Sequence, residues 1–199
     1  MLMISNQLRM GVVTGHIPLQ KVSAALSKEK IYQKIKILHR SLQKDFNISN
    51  PRIAVLGLNP HAGDNGLLGK EDHEVIRPAV KKASDEKMFV FGPYPADGFF
   101  GAGQYNKFDG VLAMYHDQGL IPFKLLAGFE GVNFTAGIQG IRTSPDHGLA
   151  YNLAGRGVAD TSSFIHALYA AIDIVRTRSD YNQIQENKME PVRAEQKQR

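Results

Sequence analysis

IAVLGLNPHAGDNG, residues 53–66, sets the fold class of this chain. Its first six residues are almost entirely apolar and do not alternate with polar ones, the pattern of a strand buried on both faces. The glycines and polar residues behind them suit a loop leaving the strand end, because glycine permits positive φ and close approach of backbone to a ligand. The segments on either side read as helices. Before it, Ile31, Ile35, Leu38, Leu42 and Phe46 recur at three- and four-residue spacing. This predicts an amphipathic helix over 27–46 with Lys and Gln outward. After it, 71–83 predicts a second helix with Val75, Ile76, Ala79 and Val80 inward, and Pro78 predicts a kink or an earlier end. Further strands are predicted at 9–14 (RMGVVT), 88–91 (MFVF), 111–115 (VLAMY) and 132–136 (VNFTA), with the turn-rich 92–97 closing the second of these. A last helix, capped by Asp160 or Thr161, is predicted to bury Phe164, Leu168, Ile172 and Val175. Strands alternating with helices give an α/β fold with a largely parallel sheet.

With 199 residues, 43% hydrophobic and 22% charged, the chain is long and apolar enough to bury a real core, which excludes a disordered class. No apolar run approaches the roughly 18–20 residues needed to span a bilayer. The start, MLMISNQLR, lacks the apolar stretch and cleavage site of a signal peptide. The expectation is a cytoplasmic protein with no membrane partner. The net charge of +5 comes from basic residues scattered among acids and from a polar tail beginning near residue 181. Without aromatic residues interleaved in a basic stripe, no nucleic-acid partner is predicted. A modest positive field suits an anionic, phosphorylated small molecule. Cysteine is absent, so any metal must sit on His, Asp or Glu.

Three of the seven histidines follow predicted strands directly: His16 in TGHIPL, His61 in NPHAG and His116 in YHDQG. Ligands bind outside the carboxyl ends of strands in an open parallel sheet, so these imidazoles are placed to converge. Imidazole is the commonest metal-binding side chain, and three with an open position make a catalytic site. A strand-end histidine also serves as an ordinary hydrogen-bonded loop residue, and position alone leaves both readings open. Asp117 has three candidate roles: orienting His116, binding metal itself, or capping the next segment. His39 and His166 fall within predicted helices and His73 opens one, so all three read as structural or exposed. His147 sits in a loop with glycine and proline.

Several runs resemble signatures of the 4-hydroxythreonine-4-phosphate dehydrogenase family. They are GLNPHAG (57–63), GPYPAD (92–97), LAMYHDQGL (112–120), GVNFT (131–135), IRTSPDHG (141–148) and LAGRGVAD (153–160). They stand in the family's order and spacing, and the resemblance runs from near the N-terminus to about residue 174. It implies the isocitrate/isopropylmalate dehydrogenase-like fold. It also implies NAD-dependent (or NADP-dependent) oxidation and decarboxylation of 4-phosphooxy-L-threonine to 3-amino-2-oxopropyl phosphate, in the route to pyridoxal phosphate. By resemblance, His16, His61 and His116 hold a divalent metal (Zn, Mg or Co) between two subunits of a homodimer. Lys124, Asn133 and Arg142 match substrate contacts, and Thr143, Asp146, His147 and Gly148 match cofactor contacts. Asp117 and Asp97 are the candidates for a catalytic base.

The family protein is longer at its N-terminus, so the resemblance implies a C-terminal portion with part of one lobe missing. Residues 1–124 match the middle, dimer-forming and metal-binding lobe. Residues 125–178 match the C-terminal part of the cofactor lobe, and 179–199 form the polar tail. The segment after Lys124 is expected to lack the sheet partners that the missing part would supply, which leaves strand edges exposed. Two alternatives accompany this reading: a dehydrogenase of a related four-carbon sugar-acid phosphate, and a non-catalytic metal-linked dimerisation module.

Overall fold

Strand β3 (Arg52–Leu56) has Ile53, Ala54, Val55 and Leu56 all at 0% exposure. Both of its faces are covered, as an unbroken apolar run requires. The structure is a computed structural model and describes residues 1–146 and 151–188. Strands β1 (Leu2–Ile4), β2 (Arg9–Val12), β3, β4 (Phe89–Tyr94), β5 (Gly110–Ala113), β6 (Val132–Phe134) and β7 (Thr143–Pro145) form one sheet. Their order is β4-β3-β5-β2-β1-β6-β7. The first four in that order run parallel, and β1, β6 and β7 are added antiparallel. Val111 of β5 lies opposite Met10 of β2 and Ala54 of β3, so the carboxyl ends of these three strands are level.

Helices α1 (Val22–Ala25), α2 (Lys28–Phe46), α3 (Arg77–Asp85), α4 (Ala96–Gly101), α5 (His116–Ala127) and α6 (Ser162–Glu186) complete the chain. Helices α2, α3 and α6 cover one face of the sheet, where Ile31, Ile35 and Leu42 meet Ile53 and Val55. Helices α4 and α5 cover the other, where Phe99, Leu120 and Phe123 meet Met10, Ala54 and Leu56. Each large apolar side chain so buried contributes about 1.5–3 kcal/mol. The α2 helix begins as its sequence dictates: the Ser27 hydroxyl accepts from the Lys30 amide at 3.2 Å. It ends on Asn47 in the left-handed region.

Several expectations are corrected. The segment after His116 is a helix, α5, which Gly119 and Pro122 concealed because both are poor helix formers. The run 92–97 is not all turn, since β4 continues through Tyr94. Pro78 does not end its helix. A single π-helical turn, Asp72–Ile76, precedes it, and Pro78 sits in the first turn of α3, where a missing N–H is tolerated. The last helix faces the other way: Ser163, Ala167, Ile174 and Arg178 are buried, while Phe164 is 63%, Leu168 51% and Val175 55% exposed. The small residues let α6 lie close on β7, where the Thr143 hydroxyl donates to the Ala167 carbonyl at 2.8 Å. Helix α6 also runs on to Glu186, through the first part of the expected polar tail. Its start combines both predicted caps: Thr161 is the cap residue, but Asp160 accepts from the Ser162 amide at 2.8 Å. Hydrogen bonds from the Ser162 hydroxyl and then its amide hold the Asp160 carboxyl below its usual range. After Lys124, β6 pairs with β1 on one side and β7 on the other, while β7 ends the strand order with β6 as its one partner among the described residues.

Gly92 is required by the backbone of β4. Its φ is +133°, and an added Cβ would stand 2.3 Å from the Val55 carbonyl oxygen of β3. Gly92→Ala is expected to destabilise the chain by about 1–3 kcal/mol through backbone strain and overpacking. Urea unfolding is the check, and an unchanged midpoint would contradict it.

A candidate metal and phosphate site at the strand ends

The three histidines leave the carboxyl ends of β2, β3 and β5, which are neighbours in the sheet with β5 in the middle. The structure brings two of them together. The rings of His16 and His116 have centroids 5.4 Å apart and are tilted by 45°. Two imidazoles bonding one ion at about 2.0–2.1 Å with tetrahedral separation have ring centres roughly 5 Å apart, so the pair fits a shared metal. Among the described residues no group of three His, Cys, Asp or Glu side chains converges, so His61 does not join the pair within one chain. On the other ring nitrogen, His116 Nδ1 lies 2.7 Å from Asp117 Oδ1. A carboxylate can only accept, so this contact selects the Nδ1–H tautomer of a neutral imidazole, which leaves the Nε2 lone pair for a metal.

The loop carrying His61 is held in an uncommon conformation. His61, Ala62, Gly63, Asp64 and Asn65 all have positive φ, from 41° to 81°. Each non-glycine residue there costs about 1–2 kcal/mol, so the surroundings must impose the shape. Gly63 admits no side chain, since a Cβ would meet the Gly69 carbonyl at 2.8 Å. The imposing groups are ones that the sequence reading missed. Asp72, fully buried, accepts from the amides of Leu58 at 2.8 Å and Asn59 at 3.1 Å, and from Asn59 Nδ2 at 2.9 Å. Asn59 Nδ2 also donates to Glu71 at 3.0 Å. Hydrogen bonds from the Ser23 hydroxyl first, then from its own amide and Asn59, hold the Glu71 carboxyl below its usual range. Gln118 ties the strand ends together: its oxygen accepts from the Met114 amide at 2.7 Å and its amide donates to the Gly57 carbonyl at 2.6 Å.

Lys124, Asn133 and Arg142 share the α5 side of the sheet. Val132 and Phe134 belong to the core on the opposite face, so Asn133, opposite Met3, projects toward α5. The same alternation places Arg142 beside Thr135, whose hydroxyl accepts from Arg142 Nη1 at 3.3 Å. Lys124 lies eight residues along α5 from His116, about 12 Å of helix rise. Its ammonium is 3.3 Å from Asp146 Oδ1 and donates to the Asp146 carbonyl at 3.2 Å. Lys124 and Asp146 line a cleft of about 310 Å³ with Phe129, Leu153, Asp160 and Ser163. No hydrogen bond joins Lys124, Asn133 and Arg142 to one another among the described residues. Of the cofactor candidates, Asp146 faces that cleft, while Thr143 lies in β7 with its hydroxyl engaged by α6. His147 and Gly148 lie outside the described residues. Asp97 is exposed in the first turn of α4 and makes no hydrogen bond to the histidines. No helix is long and apolar enough to cross a membrane among the described residues.

Comparison with known proteins gives the family and the fold. The family described as pyridoxal phosphate biosynthetic protein PdxA matches residues 1–171. A 4-hydroxythreonine-4-phosphate dehydrogenase of Bacteroides thetaiotaomicron is 54% identical over 178 residues, covering 89% of this chain and 49% of that protein. The crystal structure of a 4-hydroxythreonine-4-phosphate dehydrogenase from Klebsiella pneumoniae superposes with a TM-score of 0.77 at 38% identity, covering 87% of this chain and 53% of that one. A terephthalate 1,2-cis-dihydrodiol dehydrogenase from Burkholderia xenovorans gives 0.70 at 32% identity, covering 85% and 54%. The fold is therefore that of the isocitrate/isopropylmalate dehydrogenase type. The chain spans about half the length of the curated relatives it matches.

Proposed function

Since this chain belongs to the family described as pyridoxal phosphate biosynthetic protein PdxA, we propose that it carries the metal- and phosphate-binding part of a cytoplasmic 4-hydroxythreonine-4-phosphate dehydrogenase. The reaction is the oxidation of 4-phosphooxy-L-threonine with NAD and the decarboxylation of the resulting β-keto acid to 3-amino-2-oxopropyl phosphate. The observation that carries the reading is the His16–His116 pair at the strand ends, inside the family's own loops.

His16 and His116 of one subunit, with His61 of a second copy, would hold the divalent ion. Such an ion supplies Lewis-acid polarisation of a substrate oxygen, and NAD supplies hydride acceptance. Asp117 keeps the His116 ring in the tautomer that presents Nε2. Arg142 offers a planar fork to a phosphate and Lys124 a point charge. Asn133 can donate to a further substrate oxygen. Lys124 must exchange Asp146 for the substrate anion, and at 52% exposure its ammonium is free to do so.

The second reading is a non-catalytic metal-linked dimerisation module, which needs the histidines and no cofactor. A single assay separates the two. With 4-phosphooxy-L-threonine, NAD and a divalent metal, the proposed reading expects NADH and carbon dioxide in step, both lost on adding a chelator. Metal-loaded dimer that binds the substrate and forms no NADH would leave the module as the correct reading.

A further inference from the structure

A buried charge between α2, α6 and the β6–β7 loop takes no part in the proposed reaction. Arg178 Nε donates to Asp45 Oδ1 at 2.6 Å. The other carboxylate oxygen of Asp45 accepts from the Ser41 hydroxyl at 2.6 Å. The two side chains are 10% and 3% exposed. Arg178 Nη1 reaches past this pair and donates to the carbonyls of Gln139 at 2.7 Å and Gly140 at 3.1 Å. Two residues further on stands Arg142. Its carbonyl accepts from the Thr135 amide at 3.0 Å, and its guanidinium donates to the Thr135 hydroxyl. One guanidinium thus bridges α2 to the loop whose outgoing arm carries Arg142.

Stability alone does not account for such an arrangement. A buried ion pair can often be replaced by apolar residues of similar volume at no loss, because desolvation offsets the Coulombic gain. Its distinctive property is geometry. The planar fork spreads five donors over three nitrogens, so Nε meets a carboxylate while Nη1 meets two carbonyls, whereas an ammonium has all its donors on one nitrogen. We infer that Arg178 is a positioning residue for Arg142: it clamps the β6–β7 loop through the carbonyls of Gln139 and Gly140 and so fixes the guanidinium that meets the substrate phosphate. The inference rests on the phosphate role proposed for Arg142.

The test uses the whole chain in three forms: Arg178→Lys, the double variant Arg178→Met with Asp45→Leu, and Arg142→Ala. The double variant removes both buried charges together, so it keeps its fold if the pair is not needed for stability. Hydrogen exchange is read at loop amides 135–142 against amides of β3 and β5. Calorimetry gives the affinity ratio of 4-phosphooxy-L-threonine to 4-hydroxy-L-threonine. The expected result for the double variant is loop exchange faster by about tenfold or more, unchanged exchange in β3 and β5, and a phosphate preference reduced roughly tenfold, as in Arg142→Ala. Arg178→Lys should fall between wild type and the double variant. Wild-type protection of the loop, or acceleration spread equally over β3 and β5, overturns the inference. So does a freed loop with full phosphate preference while Arg142→Ala loses it. If Arg142→Ala itself keeps full preference, the proposed phosphate role fails, and the exchange result still decides the clamp.

Discussion

Asp72→Ala is expected to lower the unfolding free energy by about 3–5 kcal/mol. The carboxylate is fully buried and accepts three hydrogen bonds, two of them from the backbone amides of Leu58 and Asn59. Alanine leaves those donors without acceptors in a site that a methyl group cannot solvate. Each unsatisfied buried donor costs about 1–3 kcal/mol. The loss should also be felt beyond the pair of amides. Residues 61–65 occupy the left-handed region in a loop tied down at Leu58 and Asn59 on one side and by the Leu68 amide donating to the Gly63 carbonyl at 3.1 Å on the other. With Asp72 gone, the strained run can relax toward ordinary backbone and carry His61 with it. Denaturant unfolding measures the first effect, and metal content after dialysis measures the second. A variant within about 1 kcal/mol of wild type would show that the loop is held by something other than Asp72.

The parallel half of the sheet was legible because its strands are buried on both faces and therefore carry unbroken apolar runs. The α2 helix was legible because its apolar residues keep one face over five turns. The placement of His16, His61 and His116 followed from those two readings, since a residue just past a buried parallel strand has few places to go. What escaped has physical reasons. β1 and β7 are three residues long, too short for a period to show. Asp72 sits in KEDHE, which reads as a solvated charged run, and only the tertiary fold reveals that one of its carboxylates points inward. Arg178 and Asp45 are 133 residues apart, and nothing local marks either as a partner. The face of α6 was misread for a different reason. A large apolar side chain states that covering it is favourable, not that this chain supplies the cover, and Phe164, Leu168 and Val175 stay exposed while Ser163, Ala167, Ile174 and Arg178 face the core.

The proposed sharing of a metal site between subunits makes the largest quantitative prediction. His16 and His116 stand together and His61 does not join them, so the reading assigns His61 to the opposite subunit. In a twofold dimer each of two sites then takes His16 and His116 from one copy and His61 from the other. His16→Ala and His61→Ala should each lower metal affinity by at least about 100-fold, because loss of an outer partner of a ligand already costs 10–100-fold. Mixing the two variants should restore binding that neither has alone. In a mixed dimer, one site lacks both histidines and the other lacks neither. Random re-association of equal amounts makes about half of the dimers mixed, so roughly a quarter of all sites should fill tightly. If instead all three histidines served one chain, every site in the mixture would lack one ligand and no tight binding would return. The measurement is a metal titration on the separate variants and on the mixture after dissociation and re-association, with light scattering to establish that dimers have re-formed. Tight occupancy near a quarter places His61 in trans, and its absence from a re-formed dimer rules that arrangement out.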